Sequence, residues 1–176
     1  MDPLQVSMTG VRMGERFLQI GCDDRSLLVG LAAKVGLSGA AAAAVFDQAA
    51  ADRARSLAAK AGTLVDVQST SKGELPFGAD QFDMVVIDDT RGAFSALPDT
   101  HRSACLREAR RVVRAGGRIE IIEGLGGGGW LGATVSRPDG YDSGRDLGVA
   151  GFKPVRLLAE KDGFRFVEGL KQQSLP

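Results

Sequence analysis

Phe17-Leu18-Gln19-Ile20-Gly21-Cys22-Asp23-Asp24-Arg25-Ser26 is the stretch whose reading decides the fold. A short strand stops at a glycine, turns sharply and feeds a helix, which is how a nucleotide-binding α/β unit begins. About two dozen residues later, Val45-Phe46-Asp47-Gln48 places an acid at the tip of the next strand, where such units grip a ribose. Between them, Leu27, Leu28, Leu31, Ala32 and Val35 recur at helical spacing, and Gly36 is placed to stop that helix.

Outward from this core the chain alternates strand and helix. Ala40 to Phe46 is an apolar run short enough for a buried strand, bounded by Ser38-Gly39. A helix is expected over 49–61, a third strand over 64–68 and a fourth over 82–88, the last with the continuous apolar character of a strand covered on both faces. From about 98 to 114 a helix carries Leu106, Ala109, Val112 and Val113 on one side. Arg107, Arg110, Arg111 and Arg114 suit the negative end of its dipole. Ala115-Gly116-Gly117 is expected to end it before a fifth strand over 118–122. Residues 154–160 and 164–170 read as a hairpin around Lys161-Asp162-Gly163. The expected architecture is α/β: a Rossmann-like, mostly parallel sheet with helices on both faces and a C-terminal antiparallel hairpin. The first and fourth strands should be central neighbours, and 1–176 should form a single domain.

Composition narrows the function classes. The 176 residues are 44% hydrophobic and 25% charged, ordinary for a globular protein that buries a real core. Lys+Arg and Asp+Glu balance at 22 each, so no global basic field points to nucleic acid or anionic lipid. No apolar run approaches the ~20 residues of a membrane span, and the N-terminus lacks a signal peptide's pattern. Two cysteines without metal spacing imply reduced thiols in a cytoplasmic protein with no metal site.

The order of these motifs resembles one family, the class I S-adenosylmethionine-dependent methyltransferases, and within it the small-molecule branch that includes the quinone-biosynthesis C-methyltransferases. The likeness runs from about Gly14 to Lys171. It is carried by Leu18 to Cys22, by Val45-Phe46-Asp47, by Leu75-Pro76-Phe77-Gly78 through Val86, by Arg107 to Arg118, and by Ala150-Gly151-Phe152. The resemblance implies S-adenosylmethionine as cofactor and a small molecule as substrate. Methyl transfer from a sulfonium is an in-line displacement, so such an enzyme mainly holds its two partners close, aligned and dry.

By the same resemblance, Gly21, Cys22 and Asp23 would hold the methionyl part, Asp47 the ribose, and Gln48 and Ser71 the adenine. Asp88 and its neighbour Asp89 stand where substrate and catalytic groups gather in this fold, or else begin a solvated loop. The departures cluster at the cofactor turn. Gln19 stands where the family usually carries an acid, and Asp23 and Arg25 where it carries glycine; a positive φ at either would cost on the order of 1 kcal/mol. Asp23 and Asp24 also fit a bland role as helix caps. His101 reads as a surface residue, and Cys22 and Cys105 as packing residues. A non-catalytic binding or assembly module is therefore the alternative to an enzyme, with self-association or a protein partner as its corollary. An NAD(P)-dependent oxidoreductase is disfavoured because the turn has no G-x-G-x-x-G.

Two further expectations concern the second half. The glycine-dense run 124–132 reads either as a lid whose Trp130 closes over a ligand or as a surface loop, with one short helix following around Ser143 to Ala150. Glu120 falls mid-strand, where an unpartnered carboxylate would be costly. It is expected to reach water or pair with an arginine, on a sheet face left partly open by the glycine-rich segment.

Overall fold

The computed structural model describes residues 3–70, 73–126 and 137–173; Ser71, Trp130 and the glycines from 127 onward in that run lie outside them. In chain order the elements are α1 (Pro3–Met8), β1 (Arg16–Ile20), α2 (Arg25–Val35), β2 (Ala40–Val45), α3 (Gln48–Lys60), β3 (Asp66–Ser69), β4 (Phe82–Asp89), α4 (Asp99–Val112), β5 (Val113–Gly124), α5 (Ser143–Val149), β6 (Val155–Lys161) and β7 (Phe164–Leu170). They build one seven-stranded sheet of order β3-β2-β1-β4-β5-β7-β6. β1 and β4 are the expected central neighbours; they run parallel, with Leu18 opposite Val85 and Ile20 opposite Ile87. β7 is antiparallel to both β5 and β6.

Each face of the sheet carries its own core. Leu18, Ile20, Val85, Ile87, Ile119 and Ile121 point toward α4 and α5, where they meet Cys105, Leu106, Ala109 and Leu147. Phe17, Met84, Val86, Ile122 and Phe166 point the other way, onto Leu27, Leu28 and Leu31 of α2 and onto Val11 of the N-terminal segment. The alanine run of β2 is strand rather than helix because β1 and β3 pair with it on either side. There the close approach of covering helices favours small side chains over helix propensity. The Leu75-Phe77 corner is tied to α4: Arg111 donates to the carbonyls of Phe77 (2.9 Å) and Leu75 (3.0 Å), and Glu108 accepts from the Leu75 amide.

Two local expectations are corrected. The fourth helix ends at Val112, and the chain is already extended at Val113, which pairs with Phe82. The register then jumps so that Met84 pairs with Arg118, and Ala115-Gly116-Gly117 is an irregularity inside the strand rather than a helix stop. Burial of Val113 against Phe82 outweighs continued helix there.

Glu120 is the second correction. It is fully buried, and neither carboxylate oxygen has a hydrogen-bond partner. Its face is not open, because α2 and the segment around Val11 cover it. The nearby cations are engaged elsewhere. Arg118 pairs with Glu15 at 3.0 Å, Lys34 donates to the Val6 carbonyl, and Arg156 pairs with Glu168, the residue directly opposite Glu120 on β7. Burial, reinforced by the Glu168 charge, pushes the Glu120 carboxyl up to about 8.

A carboxyl raised in the folded state stabilises the protein below its unfolded value and loses that contribution as pH climbs through its folded value. Thermal midpoints should therefore fall between about pH 5 and pH 8 in the native protein and fall less steeply in Glu120→Leu. At pH 8 the variant should be more stable by roughly 1–4 kcal/mol, the range for replacing buried ionic groups by apolar ones. Parallel pH profiles for the two proteins would show that Glu120 does not titrate in this window.

Candidate functional site

Parallel strands β1, β2 and β4 all end on one edge of the sheet. The chain reverses from β1 to β2 on one side and from β1 to β4 on the other, so this edge is the topological switch point at which open α/β sheets take ligands. Gly21 leaves β1 with φ +80°, and a Cβ there would stand 3.0 Å from the Asp88 carbonyl oxygen. Only glycine fits where two strand ends approach so closely.

Asp88 holds this edge together. Its side chain is fully buried. Oδ2 accepts from the Asp24 amide at 2.7 Å and the Gln19 amide group at 3.4 Å, and Oδ1 accepts from the Thr90 hydroxyl at 2.7 Å and amide at 3.2 Å. Gln19, at the place of the family's usual acid, thus meets a carboxylate supplied by the neighbouring strand. Burial raises the Asp88 carboxyl to about 7, against the pull of its Thr90 and Asp24 hydrogen bonds.

The other residues singled out in the sequence are placed around it. Asp24 caps α2, accepting from the Ser26 amide at 2.8 Å. Asp23 reaches across the edge, where its Oδ2 accepts from the backbone amides of Arg91 (3.0 Å) and Ala93 (3.2 Å). Neither Asp23 nor Arg25 has a positive φ, so the non-glycine residues of the turn are not strained. The half-buried Cys22 thiol is pushed up to about 11 by burial and then by the Asp88 charge, and buried Cys105 to about 12; neither is a nucleophile. Asp47 caps α3 through Oδ1, accepting from the Ala50 amide, and Oδ2 carries no hydrogen bond. The residue that ends β2 is the buried, apolar Val45. Gln48 donates to Asp52 one turn along α3.

A second polar group lies where β4 and β5 end, and most of it belongs to no motif. Asp89 spends Oδ1 on the Ser95 amide at 2.9 Å; its buried Oδ2 makes no hydrogen bond and stands 3.8 Å from Arg137. Burial lifts this carboxyl to about 6. Glu123 is nearly as deep, with one oxygen unpartnered. The Tyr141 ring sits beneath the guanidinium groups of Arg102 (5.1 Å) and Arg137 (5.9 Å). Its hydroxyl is held well above the usual phenol range by burial and by the charges of Glu123 and Asp89. The group is assembled from β4, β5 and the segment before α5, so no local spacing announces it.

This switch-point edge on a sheet of order β3-β2-β1-β4-β5-β7-β6 defines a class I S-adenosylmethionine-dependent methyltransferase fold. Residues 17–117 match the family described as "Methyltransferase domain", and the chain belongs to that family. Two relatives carry the name ubiquinone/menaquinone biosynthesis C-methyltransferase. The one from Cupriavidus taiwanensis is 27% identical over 118 residues, covering 67% of this chain and 46% of the relative. The one from Pseudomonas putida is 31% identical over 121 residues, covering 67% and 45%. The chain thus spans less than half the length of these relatives. A solved SAM-dependent methyltransferase from Aquifex aeolicus superposes with a TM-score of 0.79 at 21% identity, over 97% of this chain and 89% of that one.

Because Asp88 satisfies donors from three separate residues, Asp88→Ala should destabilise the protein by about 1–3 kcal/mol, the cost of leaving buried donors unpaired. Denaturant unfolding at pH 6 measures it. A loss within experimental error would mean that the turn is held by its strands alone.

Proposed function

We propose that the chain is a single-domain, S-adenosylmethionine-dependent methyltransferase acting on a small molecule, with a cofactor turn that Asp23 holds shut. Family membership from β1 into the start of β5 supports this reading, as does exposed Asp47, two residues beyond β2, whose Oδ2 makes no hydrogen bond among the described residues. The observation that carries it is the Asp23 bridge, which joins the two banks of the switch point. With that carboxylate in place, the cleft beside the turn measures about 210 Å³. Small-molecule sites run to roughly 300–1,000 Å³, so the turn as it stands does not fit the cofactor. Only two amide hydrogen bonds to a partly exposed carboxylate would have to break for it to open.

In the opened turn, Gly21 and Cys22 would offer backbone to the methionyl part, Asp47 would accept from the ribose, and Gln48 and Ser71 would lie toward the adenine. Asp88 is spent on holding the turn and acts there as a positioning residue. The substrate side falls to Asp89 and Glu123, whose unpartnered carboxylate oxygens can accept a proton or a hydrogen bond, and to Tyr141, whose protonated hydroxyl can donate a hydrogen bond. No helix among the described residues is long and apolar enough to cross a membrane, in keeping with a small substrate reached from water.

The second reading, a non-catalytic binding module, is favoured by the apolar Val45 at the end of β2 and by the use of Asp47 as a cap. Calorimetric titration with S-adenosylmethionine and its demethylated product separates the two. Weak binding by the native chain, tightened at least about tenfold in Asp23→Gly, supports the gated enzyme. Asp47→Ala should then lose roughly 1.5–3 kcal/mol of binding. Its loss of the α3 cap, on the order of 1 kcal/mol of stability, is read separately by thermal unfolding. If neither the native chain nor Asp23→Gly binds at millimolar cofactor, the module reading replaces the enzyme.

A further inference from the structure

We propose that the cleft between the starts of α2 and α3 binds a phosphate monoester, with the phosphate held by Arg25, Arg53 and Arg91. This goes beyond the cofactor reading and does not depend on it.

The first observation is an excess of positive charge. Arg25, Arg53 and Arg91 come from α2, α3 and the loop after β4, yet all three line one cleft of about 210 Å³ together with Cys22, Asp23 and Ala50. Ten arginines elsewhere in the described residues pair with a carboxylate. Arg25, Arg53 and Arg91 pair with none among the described residues, nor do Arg12, Arg107 and Arg110, but only these three share a cleft. Asp23 lines the same cleft and keeps its charge while accepting from two backbone amides, so the lining holds three guanidinium groups against one carboxylate. Three like charges gathered around one opening repel each other. Asp23 and water offset part of this repulsion, and an entering anion would offset the rest.

The second observation is shape. A neighbouring cleft of about 400 Å³ also has Arg25 and Arg53 in its lining and adds Asp52, Ser56, Leu57 and Lys60. That second cleft alone falls in the size range of small-molecule sites. The first cleft offers planar guanidinium forks suited to a phosphate, and the N-terminus of α2 stands beside it. The second offers Leu57 and the aliphatic stem of Arg53 to an organic group. A ligand with a phosphate at one end and an apolar body at the other matches both. A nucleic acid strand does not, because the basic surface is one cleft on a chain of zero net charge rather than an extended stripe.

Calorimetry at low ionic strength tests this with two probes, inorganic phosphate and phenyl phosphate. Inorganic phosphate should bind at millimolar concentration, and phenyl phosphate about tenfold more tightly because it also covers Leu57. Arg53→Ala and Arg91→Ala, neither of which caps a helix, should each weaken both probes at least about fivefold while thermal midpoints stay unchanged. Failure of both probes at millimolar concentration would overturn the proposal, as would undiminished binding by the two variants. A single-stranded oligonucleotide that binds more tightly than phenyl phosphate would overturn the assignment to a small ligand. The cofactor reading is tested through Asp23→Gly, which removes no arginine, so the two can fail independently.

Discussion

One buried carboxylate organises the functional edge of this protein. Asp88 lies at the end of β4 beside the end of β1, and its two oxygens collect donors from Gln19, Asp24 and Thr90. Through them it fixes the end of β1, the start of α2 and the exit from β4. Gly21 makes the arrangement sterically feasible by letting the first turn approach the Asp88 backbone.

Around it, the protein keeps several carboxyls in states that would be unfavourable in water. Asp88, Asp89 and Glu120 are all buried, and burial raises each toward or past neutrality. Their settings differ. Asp88 is saturated with donors and is structural. Asp89 keeps one oxygen unpartnered near Arg137 and Tyr141, at the edge where chemistry is expected of this fold. Glu120 is unpartnered in mid-strand, far along β5 from that edge, and the cations near it serve other partners. Burial alone therefore does not mark a functional acid; position relative to the strand ends does.

The turn after β1 keeps its geometry with non-glycine residues in it. Replacing glycine by Asp23 and Arg25 leaves no backbone strain, because both adopt ordinary conformations. The consequence appears in the space above the turn instead. Asp23 spends its charge on the opposite loop, and Arg25 turns toward the cleft it shares with Arg53 and Arg91. The substitutions change the volume and charge offered to a ligand without disturbing the sheet.

Local sequence determined most of the architecture. The apolar runs of β1, β2 and β4 end at Gly21, Asp47 and Asp88-Asp89 because strand period, glycine and capping chemistry act within a few residues. The hairpin at Asp162-Gly163, both with positive φ, was legible for the same reason. Tertiary structure decided what local rules cannot reach. Val113 joined a strand because Phe82 buried it, and Glu120 was sealed because α2 and the N-terminal segment closed over a face that seemed open. Asp23 crossed to amides 68 and 70 residues away. The Asp89, Glu123 and Tyr141 group, like the three arginines, exists only because separate strands and helices end near one another. Such juxtapositions depend on long-range packing, so they leave no periodic or motif signal in the chain.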